Sequence, residues 1–555
     1  SGRPDRRGSV RPAAALIVAP LAVAALAVAA LLLAGCDRPP RPDASAVENS
    51  TGGTLVVATQ HDITGINDLV SSVSGFSEEI VSQLFLDLFE EQPDFEEHPP
   101  TFEPRLARSW SFSDDRLALT VVLRQDVSWS DGAPVTADDV RWTWQAQTSP
   151  AVGWPYAASK ERIRDVEVLD RHTARFHFTS AYAGQLADVN EGVILPRHVW
   201  SRQPFELWPE SELWFQENLV VDGPFRLESW RPQEEIVLVR NPTYYEAGDG
   251  LPRLDRVVFR VVPDRSAQVT QLLRGEVDFV PRVEVEDAVR LEAADDVTLH
   301  PYWHRQYTYV GWNLQRPLFD DVARRRALTM AIDRQTIVDT IHRGYARVAS
   351  SPIVSSLWAH ADLEPWPYDP RRAAEILATE GWAPGADGVL ARAGRRFSFT
   401  LLSNSSSRAW RDAATMIQQQ LGRLGIEVLI QAMEFNTLVG RMEAHDYDAV
   451  IGAFGVDTSL DLTAMFHSEA IDDGYNFGSY ENPRVDRLIE EARSQLDPLA
   501  AGPALVEIQR ILHQEQPMTF LWEPQRLTAM TTRLRQARPS ALSTFQGLRR
   551  WWLAR

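Results

Sequence analysis

Hydrophobic positions change period along this chain often enough to mark out its elements. Leu117, Leu119, Val121 and Leu123 alternate with Ala118, Thr120 and Val122, the two-residue period of a strand with one buried face. Asp131-Gly132 supplies a turn, and Thr136 stands at a helix N-cap with Asp139 three residues on as a short-armed capping box. Ala137, Val140 and Trp144 then recur at helical spacing. Earlier, TLVVAT at Thr54–Thr59 predicts a buried strand, and Ile80, Val81, Leu84, Phe85 and Leu88 predict a helical stripe. Residues 166–178 predict two short strands around Asp170-Arg171, and Gly275 is a plausible helix stop.

The second half repeats the alternation of helix and strand. Ala323, Ala327, Met330 and Ala331 share one helical face, while Arg324, Arg325 and Arg326 fan over the others. With Asp320 and Asp321 in the first turn, a solvated, ion-paired helix is expected there rather than an anion site. Ala414, Ile417, Leu421 and Leu424 form a stripe that stops at Gly425, and a strand follows at 426–430. Residues 447–451 predict another strand. Asn482-Pro483 predicts a capped helix carrying Val485, Leu488, Ile489 and Ala492.

A chain of 555 residues with 44% hydrophobic residues can bury a core and suggests two to four lobes. Its net charge of -20 excludes the basic footprint that nucleic-acid binding needs. Lys160 is the only lysine, which reads as genome composition, and most of the 18 tryptophans read as core packing. Cys36 is the only cysteine, so neither a disulfide framework nor a cysteine-based zinc site is possible. Arg3, Arg6, Arg7 and Arg11 form a basic n-region before an apolar run at 13–33 that ends Leu33-Ala34-Gly35-Cys36, the pattern of a secretory signal. An uncleaved membrane anchor is the other reading, since the 21-residue run is long enough to span a bilayer. Residues 37–53, with Arg-Pro-Pro-Arg-Pro, read as a flexible tether. No nucleophile elbow, zinc-protease helix or phosphate-binding glycine loop is present, and the 12 histidines do not cluster, so the residues support binding rather than turnover, with no cofactor and no metal.

The stretch "LA-x-SW-x-x-S-x-D … LR-x-x-V-x-WSDG-x-P-x-TA-x-DV" resembles the signature of the family 5 extracellular solute-binding proteins, the peptide, dipeptide and nickel receptors of bacterial ABC importers. Pro196-Arg197-His198 resembles the family's "P-x-H"; Gly223-Pro224-Phe225 and Leu238-Val239-Arg240-Asn241 resemble "GPF … L-x-R-N", with Asp222 where Thr or Ser is usual. Further blocks follow in order, including Arg324-Arg325-Arg326-Ala327-Leu328 and Tyr368-Asp369-Pro370, so the resemblance runs from about residue 54 to 522. It implies an α/β, periplasmic-binding-protein-like fold of class II (cluster C), with two large lobes joined by a hinge and a third inserted in the first. The division expected is 1–36 signal peptide, 37–53 tether, 54–90 lobe I, 91–217 lobe II, 218–305 lobe I again, 306–524 lobe III and 525–555 a return to lobe I. The end of the apolar run resembles a lipobox, which implies lipidation at Cys36 and an extracytoplasmic, membrane-anchored protein.

In peptide-binding members a carboxylate in "W-x-x-D" pairs with the peptide's ammonium group, and the resemblance carries that role to Asp457. A loop aspartate making a turn is the plain alternative. Phe454 replaces the usual tryptophan, with Gly455 after it. Asn476, Phe520 and Trp522 match positions near the cleft, although each fits packing as well. The implied function is a monomeric receptor that captures a peptide or similar small solute and delivers it to ABC permease transmembrane subunits. A sugar-oligomer or metal-chelate receptor of the same family, or a ligand-sensing lipoprotein, is the alternative.

Overall fold

The computed structural model describes residues 51–70 and 75–555. The signal segment, Cys36 and most of the tether lie outside the described residues. Gly52 and Gly53, assigned to the tether by sequence, instead join the folded body. Gly52 N–H donates to the Arg253 carbonyl at 2.7 Å, and Gly53 N–H donates to the Asp255 carboxylate at 2.9 Å.

Two runs of β-branched and apolar residues build two parallel cores. Strand Thr54–Thr59 lies parallel between Arg256–Val261 and Phe279–Val280, and Glu235–Arg240 and Phe225–Arg231 extend that half antiparallel. In the other half, Ser398–Asn404 lies parallel between Glu427–Met433 and Ala449–Gly455, with Gln306–Trp312 antiparallel beyond. The inner strand of each half is uncharged, TLVVAT at Thr54–Thr59 and SFTLLSN at Ser398–Asn404, whereas the outer parallel strands carry Arg256, Arg260, Glu427 and Gln431. One strand of 14 residues, Met518–Thr531, joins the halves. Its first part pairs with Gln306–Trp312; its second pairs with Val297–Trp303 on one side and Phe279–Val280 on the other. The chain therefore passes between the half-sheets at 304–305 and again at 523–524.

Strands Ala107–Phe112, Ala118–Leu123, Thr173–Phe178 and Ile163–Asp170 form a separate antiparallel sheet. Leu119, Val121 and Leu123 are buried as the alternation requires, whereas Leu117, just outside the strand, is 41% exposed. Helix Ala137–Gln147 starts as predicted: Thr136 N–H and Oγ1 donate to Asp139 Oδ2 at 2.8 and 2.9 Å. The other oxygen of Asp139 accepts from Arg197 N–H at 3.0 Å, and His198 Nε2 lies 2.8 Å from Asp131. The two sequence blocks that carry these residues thus hold each other.

The stripe through Leu88 is only partly helical, because helix Gly75–Leu84 stops early. The Leu84 carbonyl, which a longer helix would use, accepts from Gly223 N–H at 2.8 Å, and Leu86 N–H donates to Asp222 at 3.0 Å. Only glycine fits at 223, since a Cβ there would lie 2.6 Å from the Leu84 backbone. Asp222 is buried, its second oxygen has no hydrogen-bond partner, and desolvation pushes its carboxyl well above the usual range.

The arginines of helix Val322–Ala331 depart from expectation. Arg324 and Arg325 are 5% and 3% exposed rather than solvated. Arg325 donates to the carbonyls of Phe319 (2.7 Å), Glu515 (2.9 Å) and Gln516 (3.0 Å), and Arg324 pairs with Glu380 at 2.8 Å. The helix lies between two chain segments whose terminal carbonyls need donors, and the guanidinium forks supply them. Helical spacing reveals which face a residue occupies but not what lies opposite.

Two stability measurements follow. Asp222 has a raised folded-state pKa, so its contribution is fully present below the unfolded value near 4 and is lost as pH rises. Asp222→Asn should therefore flatten the fall in unfolding free energy between pH 5 and pH 8, with its largest gain at pH 8. Arg325→Ala, which orphans three carbonyls, should cost about 3 kcal/mol or more in denaturant unfolding at any pH in that range. A cost below about 1 kcal/mol would show those carbonyls to be satisfied otherwise.

Candidate ligand-binding site

Strand Ala449–Gly455 delivers a loop to the crossing between the half-sheets. Val456 N–H donates to the Arg305 carbonyl at 2.7 Å, and Arg305 Nη1 donates back to the Val456 carbonyl at 2.8 Å. Asp457, the next residue, is exposed. One of its oxygens accepts from Ser459 N–H at 3.1 Å, so the residue does form the turn of the plain reading. That turn leaves the second carboxylate oxygen uncommitted, and Asp457 makes no ion pair among the described residues. Thr458 Oγ1 donates to Glu91 Oε1 at 2.8 Å and bridges the loop to the N-terminal half of the molecule.

Acidic groups face this loop. Asp457 raises the pKa of Glu91, Asp188 and Glu191, so all four share one space. Burial pushes Asp68 up to about 7, with Glu78 and Glu191 adding to the rise, and burial also raises Glu78. Glu191 is open to solvent, yet desolvation by surrounding protein is the main cause of its raised pKa. A side chain with both properties lines a concavity. Arg305 acts on Glu91 and Arg162 on Asp188, and the buried cation of this wall is Lys160, 2% exposed, whose Nζ donates to the carbonyls of Asp188 and Glu191 and lies over the Trp154 ring. Burial lowers its pKa.

Glu91 also lines a polar cavity, together with Asp87, Glu90, Arg105, Asn190 and Arg549. Its other charges are paired: Arg549 forms a fork with Glu90 at 2.7 and 2.8 Å, and Arg105 meets Asp87 at 2.6 Å. The Arg549 guanidinium offsets the burial of Glu90 and holds its carboxyl down at about 2. With those charges paired, the carboxylates here without an ion pair among the described residues are Glu91 and the others around the Asp457 loop.

The remaining sequence-predicted residues divide into two groups. Phe454 stacks on Tyr309 at 5.1 Å and faces Phe477 at 6.3 Å, lining an aromatic pocket with Tyr475 and Tyr480. Gly455 is exposed at the strand end. Asn476 borders the same pocket, but its amide is spent: Nδ2 donates to the carbonyls of His467 (3.1 Å) and Tyr480 (2.8 Å), and Oδ1 accepts from Tyr480 N–H (2.9 Å). Phe520 is 0% exposed against Tyr307, and Trp522 is 2% exposed against His342. A register shift between Thr308 and Tyr309, opposite Leu521, sends Phe520 and Trp522 into different cores. These two residues pack the joint and present no face to a ligand. Among the described residues, no group of three or more His, Asp or Glu is arranged to hold a metal.

Sequence reasoning did not single out Asp68, Glu78, Glu91, Asp188, Glu191 or Arg305. They come from four separate segments and carry no motif. Lys160 did give a signal, being a lone lysine in a chain whose other basic side chains are arginines.

A sequence model of "Bacterial extracellular solute-binding proteins, family 5 Middle" matches residues 101–472, more than half of the chain. The Oligopeptide-binding protein AppA of Bacillus subtilis is 30% identical over 526 residues, covering 92% of this chain and 93% of that one. Its structure in complex with a nonapeptide superposes with a TM-score of 0.75 over 91% of this chain and 100% of that one. The ABC transporter substrate-binding protein CtaP of Listeria monocytogenes, 23% identical, has the same fold, with a TM-score of 0.78 over 91% of this chain and all of that one. The chain belongs to the bacterial extracellular solute-binding proteins of family 5.

Proposed function

We propose that this protein captures a peptide, or a small solute with a peptide-like ammonium group, beside the Asp457 loop and delivers it to the membrane subunits of an ABC importer. The observation that supports the reading is the exposed Asp457 carboxylate, which makes no ion pair among the described residues and lies close enough to Glu91, Asp188 and Glu191 to raise their pKa values. A bound ammonium would supply the missing charge. The oligopeptide-binding protein of B. subtilis is a relative along nearly the whole chain, which favours peptides over other solutes. A binding role without catalysis accords with that relationship.

Lobes that close over the ligand form part of the proposal. Residues 54–90, 218–305 and 525–555 would make lobe I, 91–217 lobe II and 306–524 lobe III. The passages at 304–305 and 523–524 would then be the hinge, since only two short segments there need to change torsion. Lipidation at Cys36 would hold the body near the membrane, which suits an extracellular family. No helix among the described residues is long and apolar enough to cross a membrane.

Thermal unfolding of the full chain against di- to pentapeptides, oligosaccharides and nickel chelates tests the ligand class. A ligand at 100 times its dissociation constant adds about 2.7 kcal/mol. Peptides should stabilise the protein, and the effect should disappear with N-acetylated peptides or with Asp457→Asn. Stabilisation by sugars or chelates alone would overturn the peptide assignment.

The acidic wall adds a pH dependence. Asp68, at about 7 when folded, contributes stability below pH 4 that is lost as pH rises through 7. The ligand-free protein should therefore melt at a lower temperature at pH 8 than at pH 5, and Asp68→Asn should reduce that difference. An unchanged slope in the variant would remove Asp68 from the wall.

A further inference from the structure

Opposite in sign to the acidic wall, a second group of charges gathers where the chain passes between the half-sheets. Arg282 follows strand Phe279–Val280 by two residues. Its flanks are fixed to the joining strand: the Pro281 carbonyl accepts from Thr528 Oγ1 at 3.1 Å, and Val283 N–H donates to the Leu527 carbonyl at 2.8 Å. That pairing brings Arg282 alongside Leu527 and Thr528, next to Arg526 in the chain. Arg282 is exposed and has no hydrogen-bond or ion-pair partner among the described residues. Yet its pKa is lowered to about 10, by desolvation first and then by Arg265 and Arg526. The ion pair of Arg265 with Glu284, two residues along, and the Val283–Leu527 backbone bond, one residue from Arg526, gather the other two guanidiniums around it.

The surrounding groups do not neutralise it. Arg526 spends one nitrogen on His304 Nε2 at 2.9 Å, and His304 is itself held neutral, its pKa lowered to about 3 by burial and by Arg526, Arg305 and Arg282. Arg265 donates to Gln60 Oε1 at 2.8 and 3.0 Å and pairs with Glu284. Glu284 is thus the single carboxylate paired within a set of three guanidiniums. The cluster lies beyond the carboxyl ends of the parallel strands Thr54–Thr59 and Phe279–Val280, the edge where α/β sheets bind ligands.

We propose that Arg282, with Arg526 and Arg265 beside it, forms an anion subsite that takes a carboxylate of the bound ligand. A guanidinium fork matches a carboxylate in two parallel hydrogen bonds, and like charges assembled on a rigid backbone are relieved when an anion arrives. The inference rests on the ammonium reading of Asp457 only for the other end of the ligand. Arg305 lies between the poles, tied to Val456 beside Asp457 and acting on His304 beside Arg526. The substrate class is therefore a zwitterion, whose carboxylate is either a peptide's C-terminus or an acidic side chain.

Calorimetric titration of the full chain with peptides from the panel tests this. Each is supplied as free acid and C-terminal amide, and as a Glu/Gln pair at one internal position. One of the two substitutions should weaken binding by about 10- to 100-fold, and which one identifies the source of the carboxylate. In Arg282→Gln that ratio should fall to near one, while the unliganded variant melts at or above the parent's temperature, because no contact is lost. Equal binding within both pairs by the parent would overturn the subsite and leave the peptide reading standing. If no peptide binds, succinate and citrate are the probes: stabilisation lost in Arg282→Gln supports the subsite without the peptide, and no stabilisation overturns it. A clear drop in the unliganded variant's melting temperature would overturn it too, by making Arg282 structural.

Discussion

Strand Met518–Thr531 carries hydrogen bonds into both half-sheets, and the placement of the site depends on that continuity. A strand shared in this way has to serve two cores with one alternation of side chains. The chain meets the conflict with a register shift beside Leu521, after which Phe520 and Trp522 serve different clusters. The shared strand is buried along most of its length, and the chain passes from one half-sheet to the other at 304–305 and 523–524, the segments proposed as the hinge. The residues placed there, His304 and Arg305, join the two charged regions of the cleft.

Charge is distributed with the same economy. Where ions serve structure they are paired, as with Arg549 and Glu90 or Arg324 and Glu380, and desolvation is offset by short hydrogen bonds. In the gap itself, carboxylates face carboxylates and guanidiniums face guanidiniums. Burial is the first cause of the raised pKa of Asp68 and of the lowered pKa of Arg282, and like charges at close range add to both shifts. In the proposed reading the ligand supplies the counter-ions that the fold withholds. Affinity then comes from relief of repulsion as well as from new contacts.

Local order was legible in the sequence wherever adjacent residues decide it. The alternation at 118–123, the Thr136–Asp139 cap, the glycine stop at 425 and the Asn482 cap form as read. Departures occur where a distant segment takes over a local hydrogen bond. Gly223 claims the Leu84 carbonyl and ends a helix early, and the carbonyls of Glu515 and Gln516 draw Arg325 inside. Of the candidate site, the Asp457 loop was reachable because a strand and a short motif lead to it. Its opposing wall was not, since Asp68, Glu91 and Glu191 belong to separate segments whose meeting is a tertiary fact.

Lys160 brings these themes to one atom. Composition explains why arginine is common here but not why one lysine remains, and its surroundings supply a reason. Nζ fits between two carbonyls at the end of helix Gln185–Asn190 and over one face of Trp154. An arginine at 160 would bring a planar group with five donors into a space that offers two acceptors, and buried donors without acceptors are costly. A lysine also fixes the chain in a way an uncharged residue would not. It caps the helix whose end presents Asp188 and Glu191 to the gap, so the acidic wall keeps its shape although its members repel one another. The buried cation steadies the wall and offsets part of its charge, and in the proposed reading the ligand's ammonium group supplies the rest.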